Sequence, residues 1–284
     1  TERYGKVIAL FGVATQTEIL IGYALGGTVI ALVGPSVTLV INALTFVVSA
    51  AMVAAIRHSP ASDRDEQSSL GVAGVRAGTR VWRRDPICRR ALVLFVGVNM
   101  MMVLPEALVV PFADELGAAP AAAGLMAATI AVGAIIAMSL SPDHADPREL
   151  LRLAATRTLV LSLLTALLFT VSITWLPSVA ALALLVSGAV DAIAGPTNQV
   201  VGMRLPREGR AAAMSVAGGV QYGSQATSIA IGGALALVIG SGWVLALGGI
   251  GAAGVTAWSL ARPPATAEDE LELSPWPPPT YHPS

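Results

Sequence analysis

Charge is scarce in this 284-residue chain. Only 12% of its residues are Asp, Glu, Lys or Arg, against about 25% in soluble domains. A water-facing globule cannot be covered with so little charge. With 55% hydrophobic residues and a mean hydropathy of +0.71, the expected main solvent is lipid. There is one cysteine, Cys88, so an intrachain disulfide is excluded. The three histidines, His58, His144 and His282, are scattered, and no metal cluster is expected. Lys6 is the one lysine. No Gly-rich phosphate loop carrying a Lys exists, which argues against an ATP-driven pump. No catalytic elbow is present, and no enzyme, cofactor or metal is expected. The first apolar run is too long for a signal peptide and no cleavage pattern follows it.

Long apolar runs are present instead. A bilayer core takes about 20 apolar residues per helix. Eight runs qualify, at 7–33, 37–56, 91–113, 120–140, 153–173, 179–203, 211–239 and 243–261. They form four hairpins with short turns at 34–36, 114–119, 174–178 and 240–242. The fold class expected is an all-α multi-pass membrane protein with eight transmembrane helices. None of the four turns holds a Lys or Arg. All seventeen basic residues fall on the other side, including eight arginines from Arg57 to Arg90. The positive-inside rule makes that side cytoplasmic, with both termini there and the chain in the plasma or inner cell membrane. Topology accounts for the arginines, so nucleic acid is not needed as a partner.

The connection 57–90 starts as a charged linker. Its part 69–84 can form a helix, with Arg76, Arg80, Arg83 and Arg84 beside Leu70, Ala73, Ala77 and Val81. Such a helix could lie on the lipid surface. A solvated basic linker is the equal alternative. The tail 263–284 is Pro-rich and acidic and reads as disordered. A repeat links the ends of the chain: glycines at 12, 26, 27 and 34 recur at 218, 232, 233 and 240, an offset of 206.

Strongly polar residues within the runs are few and uneven. The first run holds Gln16 and Glu18, the third Asn99 and Glu106, the sixth Asp191, Asn198 and Gln199, and the seventh Gln221 and Gln225. The second has only Asn42, and the fourth, fifth and eighth have no buried Asp, Glu, Asn or Gln. Asn99 and Glu106 are seven apart, as are Asp191 and Asn198, so each pair shares a helix face. Pro105 and Pro196 sit among them, each freeing a carbonyl that a cavity or a neighbouring helix must meet. Ionisable groups at membrane depth mark pathways for substrates or protons. Amides more often join helices. Gly22–Gly26 and Gly219–Gly223 have the G-x-x-x-G spacing that lets helices approach.

These residues resemble a family. Pro206-Arg-Glu-Gly-Arg210, before a Gly-rich helix, is similar to the loop between helices 10 and 11 of the major facilitator superfamily. Arg3-Tyr-Gly-Lys6 is similar to the loop between helices 4 and 5. Gly22-Tyr-Ala-Leu-Gly-Gly27 resembles the end of the antiporter motif of its drug exporters, with Tyr23 in place of Pro and Glu18 in place of a Gly. The segment 57–90 resembles the loop between the two six-helix halves. The resemblance assigns the eight runs to helices 5–12 of the twelve-helix fold and implies a fragment lacking helices 1–4. Residues 1–56 are then the last two helices of the N-terminal half, 57–90 the central loop and 91–262 the C-terminal half. Runs three and six would line the cavity, one and seven flank it, and two, five and eight face lipid as scaffold. A gating role for Gly22, Gly26, Gly27, Gly232 and Gly233 is implied in the same way.

The function implied is secondary active transport by alternating access. The leading expectation is proton-coupled export of a small amphipathic molecule. Glu18, Glu106 and Asp191 would serve the proton or substrate pathway, with Asn99, Asn198, Gln199, Gln221 and Gln225. An uptake symporter of the same fold, or a truncated membrane protein that does not transport, are the alternatives.

Overall fold

The computed structural model describes residues 2–55, 75–76, 78–80, 82, 86–140, 147–194 and 207–261. The linker 57–74, the end of the sixth run with Pro196, Asn198 and Gln199, and the tail 263–284 lie outside the described residues. The main helices are α1 (Glu2–Val33), α2 (Pro35–Ala55), α3 (Pro86–Glu115), α4 (Pro120–Ser139), α5 (Pro147–Thr174), α6 (Ala180–Ala194), α7 (Arg207–Ile239) and α8 (Ser241–Ala261), with a short 3-10 turn at Pro177–Val179 before α6. Helices α2 to α5 each start on a proline. At a first helical position the missing N–H costs nothing and the fixed φ favours the helix.

Six of the described helices are long and apolar enough to cross a membrane: 35–52, 87–115, 122–139, 149–174, 212–239 and 241–261. The described part of α6 is a shorter apolar helix, Ala180–Ala192. Helix α1 runs for 32 residues but is not among the six. Eight spans were expected, and six meet that test of length and composition.

The two halves of the repeat fold alike. A helix of 32 residues meets Gly34 and then a helix of 21; a helix of 33 residues meets Gly240 and then a helix of 21. Gly34 and Gly240 have φ of 81° and 87°, the left-handed region open to glycine. Their N–H groups donate to Ile30 and Ala236, closing each helix.

Helices α3 to α8 form one packed group, and α1 joins it through α4. Lipid supplies no hydrophobic drive between helices, so close packing must hold them together. Small residues provide it. Gly133 of α4 lies against the Leu185 carbonyl of α6, and Gly188 of α6 against the Ile130 carbonyl of α4. Neither position has room for a Cβ. Gly249 of α8 sits against α5, where a Cβ would lie 2.8 Å from Ala166 N and 2.9 Å from the Ser162 carbonyl oxygen. Toward the turn end, Phe112 of α3 meets Phe169 of α5 edge to face, with centroids 5.6 Å apart. Leu104, Leu108, Ile130, Leu184 and Leu245 surround this pair.

Runs two, five and eight were expected to be lipid-facing scaffold, and all three expose large apolar side chains, Leu39 and Phe46 on α2, Val160, Leu163 and Leu167 on α5, and Leu247, Ile250 and Trp258 on α8. Helix α2 is exposed along almost its whole length. Helices α5 and α8 pack on each other, and α8 alone buries eleven residues. The reading counted only acids and amides. It missed the buried hydroxyls Thr158, Ser162, Thr165 and Ser172 on α5 and Thr256 on α8. Thr165, Ser172 and Thr256 fold back on their own helices, Thr256 to the Ala252 carbonyl at 2.7 Å, whereas Thr158 Oγ1 and Ser162 Oγ are buried without a hydrogen-bond partner.

Candidate functional site

The polar residues of the spans gather in two places along α3. The first is an amide cluster. Asn99 is buried, and its Oδ1 accepts from Gln221 Nε2 at 3.0 Å and from Gln225 Nε2 at 3.4 Å. The spacing of four puts both glutamines on the face of α7 that meets α3. One turn further, Ser228 is buried on the same face, and then Gly232, where a Cβ would meet the Leu104 side chain. The amides thus sit within a continuous α3–α7 seam.

The second place is acidic. Glu106, two turns beyond Asn99 on α3, is exposed, whereas Asp191 on α6 is half-buried. Tyr23 of α1 packs, partly buried, against the core cluster that includes Leu104 and Leu108 of α3. Tyr23 was read only as a departure from a motif. Nothing in the spacing of a lone aromatic could have placed it there, since the packing of α1 against α4 does that.

The α1–α4 seam is closest at Gly124 of α4. A Cβ there would lie 3.0 Å from Gly27 Cα and 3.0 Å from the Tyr23 carbonyl oxygen. Gly27 is thus a true close-contact glycine. Around Gly22, Gly26 and Gly233 a Cβ would meet nothing within 4 Å among the described residues. Glu18 is exposed on α1, and Gln16 is half-buried on the same helix.

Pro105 is buried in α3. It has no N–H to donate to the Met101 carbonyl, one turn back. That oxygen faces α8, lying 3.4 Å from where a Cβ on Gly248 would be. A neighbouring helix, rather than an interior cavity, covers the freed carbonyl. Among the described residues no group of three or more His, Cys, Asp or Glu side chains could hold a metal ion.

Two further residues escaped the sequence reading. Glu115, at the end of α3, accepts from the backbone N–H groups of Ser241 and Gly242 at 2.5 and 3.1 Å. Its charge sits on the positive end of the α8 dipole. At the arginine-rich end, Trp82 is buried and its Nε1 donates to the Ala213 carbonyl at 2.8 Å. A turn carboxylate and a linker tryptophan carry no periodic signal, so only the tertiary contact identifies them.

Apolar helices of spanning length, packed by small residues around an amide cluster centred on the buried Asn99, define a polytopic membrane protein. Comparison with known families resolves the class further. The description of the Major Facilitator Superfamily matches residues 1–227, and the chain belongs to that superfamily. It is a family of membrane transporters that bind small molecules and sit in the lipid bilayer. Comparison with curated proteins and with solved structures finds no match.

Proposed function

We propose that this chain serves proton-coupled export of a small amphipathic molecule by alternating access. The observation that carries the reading is the presence of two carboxylates, Glu106 and Asp191, on two helices, α3 and α6, of the packed membrane group. Ionisable groups at membrane depth mark pathways for protons or charged substrates, which suits a site that exchanges a proton for a substrate. A charge moved through the membrane potential is worth about 2.3 kcal/mol per 100 mV, enough to drive such an exchange. Tyr23 lies on the α1–α4 seam, which joins the helices assigned by resemblance to different halves of the transporter. Relative motion at that seam would be the alternating-access movement. The amide cluster of Asn99, Gln221 and Gln225 is assigned a neutral polar role beside it. The arginine-rich end is taken as cytoplasmic, in a plasma or inner membrane.

The test is flux in proteoliposomes under an imposed pH gradient. Substrate movement is expected to follow the gradient and to stop in Asp191→Asn. Flux that ignores the gradient removes proton coupling, and unchanged turnover in Asp191→Asn removes that residue from the site. The direction of accumulation, measured in cells with and without the protein, separates export from uptake. Tyr23, standing where the exporter motif has Pro, keeps the uptake symporter as the second reading.

A further inference from the structure

One cation within a spanning helix stands on a surface turned away from the helix group. Helix α5 exposes Val160, Leu163, Leu164 and Leu167, a face that acyl chains cover in a bilayer. Arg157 is exposed beside it, three residues before Val160 and seven before Leu164. Among the described residues it forms no hydrogen bond or ion pair. The helices packed on α5 offer it little: α8 holds no charged residue, and Asp191 is the one acid in the described part of α6. The one acid of α5 itself, Glu149, lies eight residues back, about 12 Å along the axis.

Two contacts set the depth of Arg157. Gly242 of α8 lies against the Ile173 side chain of α5, and Gly249, seven residues on, lies against Ala166, seven residues back. The two helices are antiparallel and in step, so nine more residues bring Trp258 of α8 level with Arg157. Trp258 is exposed. Exposed tryptophans gather at the boundary between hydrocarbon and headgroups. Beyond that level α8 continues only to Ala261, whereas α5 extends ten residues to Pro147, about 15 Å. Arg157 is thus placed where its stem lies along the apolar face and its guanidinium reaches the phosphate layer.

We propose that Arg157 anchors a binding site for one anionic phospholipid on the outer face of α5, at the arginine-rich end. The guanidinium takes the lipid phosphate in a charge-assisted, two-point hydrogen bond. Val160 and Leu164 lie below it for the acyl chain. Charge complementarity selects the headgroup. An unpaired cation at the hydrocarbon border gains most from a net negative partner, whereas a zwitterionic lipid brings its own cation to the phosphate. The site rests on exposure, helix register and charge, and does not depend on the direction or coupling of transport.

The experiment is native mass spectrometry of the full chain in detergent, stripped of lipid and titrated with phosphatidylglycerol, with phosphatidylcholine of the same chains, or with inorganic phosphate. The wild type is expected to hold phosphatidylglycerol more tightly than phosphatidylcholine. Arg157→Gln should weaken phosphatidylglycerol about fivefold and leave phosphatidylcholine unchanged. Arg157→Lys keeps the charge and should retain most of the affinity. Because Arg157 is exposed, both variants should melt as the wild type does without lipid. Arg89→Gln is the control: it removes the same charge from an exposed position on α3, and it should weaken phosphatidylglycerol far less. If Arg89→Gln and Arg157→Gln lose equally, net charge governs binding and the site is overturned. Unchanged phosphatidylglycerol affinity in Arg157→Gln, or an equal loss for both lipids, overturns it as well. If inorganic phosphate displaces the lipid, the arginine takes free anions and the lipid site is again overturned. Each of these failures leaves the transport reading untouched, because that is tested by flux.

Discussion

The hairpins α1–α2 and α7–α8 are copies in sequence spacing and in backbone, yet they live in different surroundings. Helix α2 is exposed nearly throughout, whereas α8 buries eleven of its 21 residues against α3 and α5. The two helices also differ in composition. Helix α2 contains no glycine and presents Leu39, Ile41, Leu44, Phe46 and Met52 outward. Helix α8 holds Gly242, Gly248, Gly249, Gly251 and Gly254. Bulky branched side chains on every face suit lipid. Small residues let a helix backbone reach its neighbours, which is what binds helices in a bilayer. The hairpin is a local product of a long apolar helix and a left-handed glycine. Its burial depends on what the second helix offers to others.

The largest expected effect breaks this comparison at its centre. Gly249 and Ala43 occupy matching positions at the offset of 206. Gly249→Leu drives a side chain into the backbone of α5, and its cost should reach or exceed the roughly 1–3 kcal/mol of core overpacking. Ala43→Leu adds a methyl-rich side chain to an exposed face and should leave stability unchanged. Thermal melting of the two purified variants decides it. Equal losses would mean that α2 is as tightly packed as α8.

A smaller effect should be shared by both copies. Gly34→Ala and Gly240→Ala each force a Cβ into the left-handed region, at about 1–2 kcal/mol. Faster amide hydrogen exchange in the turns flanking each glycine is the readout. A loss at only one of them would show that the two turns are not equivalent. The smallest effect separates the copies again. Glu115 caps α8, so Glu115→Ala should cost about 1 kcal/mol. It should raise exchange at Ser241 and Gly242 and leave the start of α2 as it was. Unchanged exchange at Ser241 would remove Glu115 from the α8 terminus.

Much of the fold was legible because lipid imposes simple rules. Apolar length and short turns without Lys or Arg are one-dimensional signals, and they marked the helices. Half of the polar site was legible too. The four-residue spacing of Gln221 and Gln225 placed them on one face, and they meet Asn99 together. Their partner could not be read, because it depends on how α7 is rotated against α3. Tyr23, Glu115 and Trp82 were missed for the same reason: each acts across a gap of many residues. The glycines show the limit most clearly. Gly22, Gly26 and Gly27 look alike in the sequence, but among the described residues Gly27 alone of the three closely approaches another helix, at Gly124.

By itself the sequence determined that this chain lies in a membrane, where its helices run, which connections are basic, and that its first and last helix pairs repeat. Those properties follow from transfer of apolar segments to lipid and from local backbone preference, both summed along the chain. Only the tertiary structure decided which glycines are contacts, which amides meet Asn99, and that the linker tryptophan seats on α7. These depend on helix rotation and interaxial distance, which packing sets and no periodicity encodes.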